Sequence, residues 1–232
     1  MAWTKYFELD QTKIRDMYQK NQRWGDLITY QWISDSQYLY GIGWYQSGSM
    51  TVPKWGSTIP VAYASIGDKK CRIDIDALGM FGINSTGTSY VTIAAVKGDK
   101  LVSPYIYAVG VAVNSPPNRT IGIPFKVSII VEGNRMSVYL DNEKTTDADL
   151  SDVADGIRVG VLTQNVSGNV GCMFTYISAS YYDVIAGMVQ QITSILPTIM
   201  YLMIGLMFIS LIVRMFRRRR VEKRVVEEKE KK

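Results

Sequence analysis

Short apolar runs alternate with clusters of Gly, Pro, Asn and Asp along most of the chain, from about Tyr38 to Asp183. The runs are rich in Val, Ile, Tyr and Thr, and in several of them every second residue is apolar, which is typical of strands with one buried face. The predicted strands are Gln37–Tyr45, Val61–Ser65, Cys71–Leu78, Tyr90–Val96, Ile106–Val113, Phe125–Glu132, Arg135–Leu140, Gly156–Thr163 and Cys172–Tyr182. Such regular spacing indicates an all-β domain, a β-sandwich or jelly roll, over residues 31–183.

The first thirty residues differ from this pattern and contain one predicted helix, Asp10–Arg23. Ile14 and Met17 recur at the spacing of one helix face, and Asp10 suits the capping position before the first turn. Residues 1–30 are therefore predicted to form an N-terminal segment with a short helix.

A long uncharged stretch follows the β-domain, from Val184 to Val213. Its dense part, Ile195–Val213, has nineteen residues, close to the roughly 20 that cross a bilayer. We therefore predict a transmembrane helix over 184–213. The milder part, Val184–Ser194, is either an interfacial turn or a helix extension that packs against neighbouring copies. The residues expected to anchor the helix in lipid include Ile195, Leu202, Leu206, Phe208 and Val213.

The net charge of +5 divides unevenly along the chain. Residues 1–183 carry 16 basic and 17 acidic side chains, whereas residues 184–232 carry 10 basic and 4 acidic ones. Arginines at the end of a span are difficult to translocate, so the tail 214–232 is expected inside and the β-domain outside. The tail is expected to contact anionic lipid, or alternatively a packaged genome. The inner-face basic residues are Arg214, Arg217, Arg218, Arg219 and Arg220.

The first ten residues have no apolar core of the kind that a secretory signal needs. Three arrangements satisfy the expected orientation. A signal has been removed, or the C-terminal span drives export, or the chain inserts from the cytosol into a membrane that becomes enclosed in a virus particle.

The stretch from Ile123 to Glu143 predicts a hairpin around Glu132-Gly-Asn134, followed by a turn at Asp141-Asn-Glu143. A Gly156-Ile-Arg-Val-Gly160 run and an aromatic-bearing final strand, Gly171–Asp183, complete the domain. This order resembles the C-terminal half of concanavalin A-like jelly rolls, the laminin-G and lectin/glucanase group. The resemblance implies a concanavalin A-like sandwich, and it implies glycan binding or glucan hydrolysis as activities to consider.

Catalytic chemistry is poorly represented. The chain has no histidine, which excludes Ser-His-Asp and Cys-His catalysis. Glucanases of the resembled fold use E-x-D-x-x-E on one strand, with carboxylates on one sheet face. Here Asp74 and Asp76 share a face, but Arg72 stands in place of the first Glu and Leu78 in place of a third acid. We therefore predict no enzyme and no cofactor.

The two aspartates are interpreted first as a solvated face and alternatively as ligand-binding groups, for a glycan or for calcium. A second acidic set is read as a polar loop without fixed ligand spacing: Asp147, Asp149, Asp152 and Asp155. No resident metal is predicted. Trp55, in the turn Pro53-Lys-Trp-Gly56, is the best candidate for an exposed tryptophan that stacks on a sugar, and the alternative is packing in the core or between subunits.

Three Asn-x-Ser/Thr sequences, at Asn84, Asn118 and Asn165, are glycosylation candidates and favour an outward-facing domain. Cys71 and Cys172 are too few for a zinc site or a disulfide scaffold. They bridge if they are neighbours, and otherwise they are small buried residues.

These features favour a non-enzymatic, membrane-anchored surface protein, a virion or envelope component that self-associates or contacts other structural or capsid proteins. A Met- and Ile-rich span followed by arginines is also similar to the spans of archaeal-virus membrane proteins. The alternatives are a cell-surface lectin-like receptor or adhesin, and a membrane-tethered glycoside hydrolase.

Overall fold

Alternating apolar and polar residues form two antiparallel sheets in the computed structural model, which describes residues 3–34, 37–64, 67, 69–98, 100–102, 107–114 and 121–230. In that part of the chain the strands are β1 (Trp3–Leu9), β2 (Ile28–Ser34), β3 (Gln37–Ser47), β4 (Lys54–Trp55), β5 (Ile59–Pro60), β6 (Lys70–Phe81), β7 (Thr86–Lys97), β8 (Lys100–Leu101), β9 (Tyr107–Asn114), β10 (Ile121–Glu132), β11 (Arg135–Leu140), β12 (Glu143–Asp149), β13 (Gly156–Ser167) and β14 (Asn169–Tyr182). The helices are α1 (Gln11–Gln19) and α2 (Val184–Glu230).

The larger sheet has eight strands in the order β12-β11-β10-β6-β14-β3-β2, and β1 also pairs with β14. The smaller sheet has six strands: β4-β13-β7-β8 form its path, β5 also pairs with β13, and β9 also pairs with β7. Both sheets contribute to one apolar core. The predicted all-β sandwich of jelly-roll type is therefore confirmed.

Strand alternation explains how the core forms. On β6, Cys71, Ile73 and Ile75 are buried, while the intervening side chains are partly exposed. From the other sheet, side chains such as Ile93 on β7 and Val159 on β13 belong to the same core. Because successive strand residues point to opposite faces, the intervening side chains Arg72, Asp74 and Asp76 lie on the outer face of the eight-stranded sheet.

The N-terminal residues belong to the sandwich rather than preceding it. The sequence separated residues 1–30 from the domain, but β1 pairs with β14 from Trp3↔Tyr182 to Leu9↔Ile177. The strand was missed because its partner lies about 170 residues away, and no local turn marks the pairing. Asp147 and Asp149, half of the acidic set interpreted as a polar loop, instead lie on the strand β12, which is polar because it forms an edge of the sheet in the described part of the chain.

The helix α1 begins where the sequence predicted. The Asp10 side chain accepts a hydrogen bond from the backbone N–H of Lys13 at 2.9 Å, so it caps the helix. The helix ends at Gln19 rather than Arg23. Asn21 adopts a φ of 51°, a left-handed conformation that stops helices.

The Gln11 side chain joins β3 to β14 at the point where β14 changes its pairing partner. The first half of β14 pairs with β3, and the second half pairs with β1. At the junction, Gln11 Nε2 donates to the carbonyl oxygens of Tyr40 at 2.7 Å and Thr175 at 2.8 Å, and Gln11 Oε1 accepts from the Tyr40 N–H at 3.0 Å. The amide side chain thus satisfies backbone groups that the change of partner leaves without a ladder bond.

The C-terminal unit is the helix α2, which forms a compact unit separate from the sandwich. Its segment Val184–Arg217 has a mean hydropathy of 2.3 and no buried residue within its apolar window. By length and composition this segment can cross a membrane. The basic tail continues the same helix as far as Glu230.

Candidate functional site

The two aspartates singled out in the sequence lie on the outer face of the eight-stranded sheet. Asp74 lies on β6 and is paired with Ser128 on the neighbouring strand β10 and with Ser178 on the other neighbour, β14. Asp76, two residues further along β6, is paired with Lys126 and Tyr176 on the same two strands. We call the side chains of Arg72, Asp74, Asp76, Lys126 and Ser128 the polar row.

Asp74 is fully engaged within the polar row. The Arg72 Nε donates to both carboxylate oxygens at 2.9 Å, and Ser128 Oγ donates to Oδ1 at 2.6 Å. Arg72 Nη2 also reaches Ser128 Oγ at 3.4 Å. Arg72 stands where the glucanase pattern has its first acid. It binds Asp74, which stands where that pattern has its aspartate.

Asp76 has its own cation, because Lys126 Nζ lies 3.5 Å from Asp76 Oδ1. Glycoside hydrolysis needs one carboxyl group held protonated and another held ionised on either side of the scissile bond. The polar row instead pairs each carboxylate with a basic side chain.

Two open clefts adjoin the polar row. One has a volume of about 380 Å³ and the other about 230 Å³. The larger is lined by Asp76, Ala77, Leu78, Pro124, Phe125, Lys126, Asp141 and Thr175. The smaller is lined by Arg72, Ser128, Ile130, Tyr139 and Asn142. Aromatic and apolar surface beside a few polar groups is the usual composition of small-ligand sites.

The turn between β11 and β12 contributes to both clefts and was missed as a site by sequence reasoning. Asp141 and Asn142 adopt φ values of 47° and 73°, as in a tight hairpin turn. The Asp141 Oδ1 accepts from the Lys126 N–H at 2.8 Å, and its own N–H donates to the Lys126 carbonyl at 2.8 Å. The sequence indicated the turn, but only the sheet order brings it beside β6.

Trp55 lies in the other sheet and does not join the polar row. It is half-buried on β4, paired with Gly160 of β13. A Cβ atom at Gly160 would meet the Trp55 ring at 2.8 Å, so the glycine leaves room for the indole across the sheet. The expected exposed indole at a turn is instead a packed side chain of an edge strand.

The second acidic set is dispersed among separate partners. Asp147 binds Arg135, Lys144 and Ser137, and these hydrogen bonds hold the pKa of Asp147 well below its usual range. Asp152 binds Lys97, which lowers the pKa of Asp152. Within the described ranges no three acidic, cysteine or histidine side chains come together as metal ligands would.

Cys71 and Cys172 are both buried and unbridged. Cys172 is paired with Gly79 on β6, eight residues from Cys71, which at about 3.3 Å per residue places the two sulfurs far beyond bonding distance. Burial raises the pKa of Cys172 to about 12, so its thiol is inert at neutral pH. The two cysteines are therefore small buried residues and do not form a disulfide.

Two of the three glycosylation candidates are accessible. Asn84 is exposed at a turn, and Asn165 is exposed near the end of β13, where the pairing register shifts; their φ values are 58° and 53°. Asn118 lies outside the described residues.

The membrane-anchor candidates are exposed on α2: Ile195, Leu202, Leu206, Phe208 and Val213. Arg214 and Arg217 are exposed at the end of the apolar segment. Arg218, Arg219 and Arg220 continue the helix, and their side chains lie outside the described part.

No protein family and no curated protein matches this chain in sequence. Solved structures with related sandwiches include a galectin from Caenorhabditis elegans, with 13% identity, coverage of 59% of this chain and 95% of the galectin, and a TM-score of 0.29. An endo-1,3-beta-glucanase (laminarinase) catalytic domain from Thermotoga petrophila has 11% identity, coverage of 77% and 98%, and a TM-score of 0.34. An alginate lyase from Corynebacterium sp. has 12% identity, coverage of 63% and 78%, and a TM-score of 0.36. Similarity at this level transfers neither activity nor ligand to this chain.

Proposed function

We propose that this chain is a single-pass membrane protein that displays a non-catalytic β-sandwich for assembly or attachment. The observation that carries the proposal is the helix α2. Only Asp183 separates it along the chain from the end of β14, and from Val184 to Val213 it is uncharged. A long helix that exposed so many apolar side chains to water would aggregate, whereas a bilayer solvates them.

The charge distribution supports one orientation. The segment that follows the span carries 10 basic and 4 acidic side chains, whereas residues 1–183 are nearly neutral. Basic flanks remain on the cytoplasmic or interior side, which leaves the sandwich outside. On the cytoplasmic or interior side, the tail helix can contact anionic lipid headgroups.

The finer form of the proposal places the membrane in a virus particle, with copies of the chain or capsid proteins as partners. The arginines that follow the span support this form, because in an enclosed particle they would face a packaged genome. Density-gradient fractionation of purified particles provides its test. Recovery of the chain with the particle membrane supports it, and recovery only in host-cell membranes contradicts it.

Orientation is tested with cysteine variants, because Cys71 and Cys172 are buried and give a low background. We expect Thr51→Cys, at an exposed bend of the sandwich, to react with a membrane-impermeant maleimide on intact cells or particles. Val225→Cys, in the tail, should react only after permeabilisation. Labelling of Val225→Cys alone in sealed samples contradicts the proposed orientation.

The absence of catalysis is tested by assaying the detergent-solubilised chain on laminarin, mixed-linkage glucan and alginate. We expect turnover at the no-enzyme background for the unsubstituted protein and for Asp74→Asn alike, because Arg72 and Ser128 already engage Asp74. Asp147→Asn serves as the matched control on the same sheet. Turnover that Asp74→Asn abolishes and Asp147→Asn retains would overturn the non-enzymatic proposal.

Glycan binding is the second candidate function, and the smaller cleft favours it. Tyr139 offers an aromatic ring, while Arg72 and Asn142 offer hydrogen-bonding groups around the same space. A sugar binds such a site by stacking on the ring and hydrogen bonding through its hydroxyls.

On a glycan array, we expect Tyr139→Ala to weaken any dose-dependent binding by about tenfold, the effect of losing roughly 1.4 kcal/mol of ring contact. Tyr38→Ala, at an exposed position away from the cleft, should retain it. Loss of binding with Trp55→Ala but not with Tyr139→Ala would place the glycan-binding site on the six-stranded sheet instead of the smaller cleft. An array without binders would remove this candidate.

A further inference from the structure

One face of the membrane span differs in chemistry from the rest of the helix. An α-helix turns about 100° per residue. On that basis, seven polar or small residues between positions 187 and 205 fall within about 60° of a single line along the helix. We call them the polar stripe: Gly187, Gln190, Gln191, Ser194, Thr198, Tyr201 and Gly205.

The opposite face over the same length is nearly all aliphatic, with residues such as Met188, Ile192, Leu196 and Met203. Thr193 and Pro197 are the exceptions. The Thr193 Oγ1 donates to the carbonyl oxygen of Val189 at 2.7 Å, so this hydroxyl needs no outside partner. The span therefore has a lipid-compatible face and a polar face.

Part of the polar stripe is satisfied within the helix and part is not. Ser194 Oγ donates to the Gln191 carbonyl at 2.7 Å. In the described part of the chain, no hydrogen-bond partner is seen for the Tyr201 hydroxyl or for the side-chain amides of Gln190 and Gln191. Tyr201 is also 76% exposed, the largest fraction among the apolar and aromatic side chains of the span.

The depth of Tyr201 makes this exposure costly in a membrane. It lies thirteen residues before Arg214, which at 1.5 Å per residue is about 20 Å. If Arg214 marks one headgroup layer, the hydroxyl lies well inside a hydrocarbon core about 30 Å thick. Tyrosines ordinarily occupy the interface, and a polar group in hydrocarbon is unfavourable without a hydrogen-bond partner.

We propose that the polar stripe is a helix–helix interface with a second copy of this chain. Every copy crosses the membrane in the same direction, so each presents the same group at the same depth. Amide and hydroxyl groups both donate and accept, which makes the stripe complementary to itself. Gly187 and Gly205, near its two ends, allow close approach of the backbones.

This inference rests on the proposed membrane anchoring and names the partner of the span. It also decides between the two interpretations of Val184–Ser194. Gln190 and Gln191 lie on the same face as Tyr201, so the milder segment continues the interface. The helix α2 runs through it without interruption.

Disulfide cross-linking of the full-length chain in native membranes tests which face meets a second copy. Ser194→Cys and Gly205→Cys lie on the polar stripe, and Leu196→Cys and Met203→Cys lie on the opposite face. After oxidation with copper phenanthroline, we expect covalent dimers from the first pair and only the background of the unsubstituted chain from the second. Equal dimer yields from both faces, or no dimer from any variant, overturn the proposal.

Energy transfer between labelled copies in proteoliposomes tests the chemistry of the contact. Tyr201→Phe removes only the hydroxyl, and we expect self-association to weaken about fivefold, in line with interhelical hydrogen bonds in membranes. Ser210→Ala is the matched control, since Ser210 lies off the stripe and its Oγ already donates to Met207 O at 2.8 Å. A similar loss in both variants, or in neither, contradicts the proposed role of Tyr201.

Three further outcomes separate the possible failures. Release of the chain from membranes by alkaline carbonate would refute membrane anchoring itself. Retention in the membrane without face-specific dimers refutes only the stripe interface. Cross-linking of Ser194→Cys to a different, larger protein, with no dimer of the purified chain in proteoliposomes, refutes the second copy as partner.

Discussion

Phe174→Ala is expected to lower the free energy of unfolding by about 3–5 kcal/mol, the range for deleting a buried aromatic ring. Phe174 is 0% exposed and lies on β14, between Ala77 of β6 and Ile42 of β3. Its ring belongs to the main apolar core that both sheets share. Because the side chains around the ring are closely packed, removing the ring leaves a cavity that these neighbours fill only in part.

The measurement is chemical denaturation of the full-length chain in detergent, followed by tryptophan fluorescence, because all five tryptophans lie between positions 3 and 55 of the sandwich. Tyr38→Ala is the matched control. It removes an aromatic ring that is 61% exposed, so its effect should stay within about 0.5 kcal/mol. Equal destabilisation by the two variants would contradict the placement of Phe174 in the core.

Gln11→Met is expected to lower the free energy of unfolding by about 2 kcal/mol. It keeps the length of the side chain but removes three hydrogen bonds, each worth about 1 kcal/mol, of which water restores part because the junction is half-buried. The affected groups are the N–H and carbonyl of Tyr40 and the carbonyl of Thr175. They lie where β14 changes its partner strand.

Gln19→Met, at the exposed end of the same helix, is the control and should change stability little. Backbone hydrogen exchange adds a local measurement. Only Gln11→Met should increase exchange at the Tyr40 amide. Unchanged protection of that amide would mean that the Gln11 side chain does not hold the junction.

The candidate site shows which features the local sequence pattern predicts and which it does not. Asp74 and Asp76 were placed on one face from strand alternation alone, and the structure places them so. Their partners Ser128 and Lys126 were not predicted, although the strand that carries them was. The order β10-β6-β14 decides those contacts, and it depends on long-range pairing that a single strand pattern does not contain.

The misplacement of Trp55 and of β1 has the same origin. A turn-like Pro-Lys-Trp-Gly sequence suggested exposure, but the two-residue strand β4 pairs with β13 and its indole packs over Gly160. The strand β1 has no neighbouring turn and pairs with a strand about 170 residues away, so its membership of the eight-stranded sheet becomes visible only from its pairing with β14. Short strands form through their partners rather than through intrinsic propensity.

The sequence by itself determined the apolar helix, the uneven charge and the all-β class, because hydropathy, charge and residue periodicity are properties of contiguous residues. It also carried the polar stripe, since helix geometry follows directly from residue spacing. Only the tertiary structure decided that Arg72 and Ser128 engage Asp74, that the Asp141 turn borders Asp76, and that Gln11 joins β3 to β14. Those contacts link residues up to 164 positions apart, and which distant strands meet is settled by the packing of the whole core.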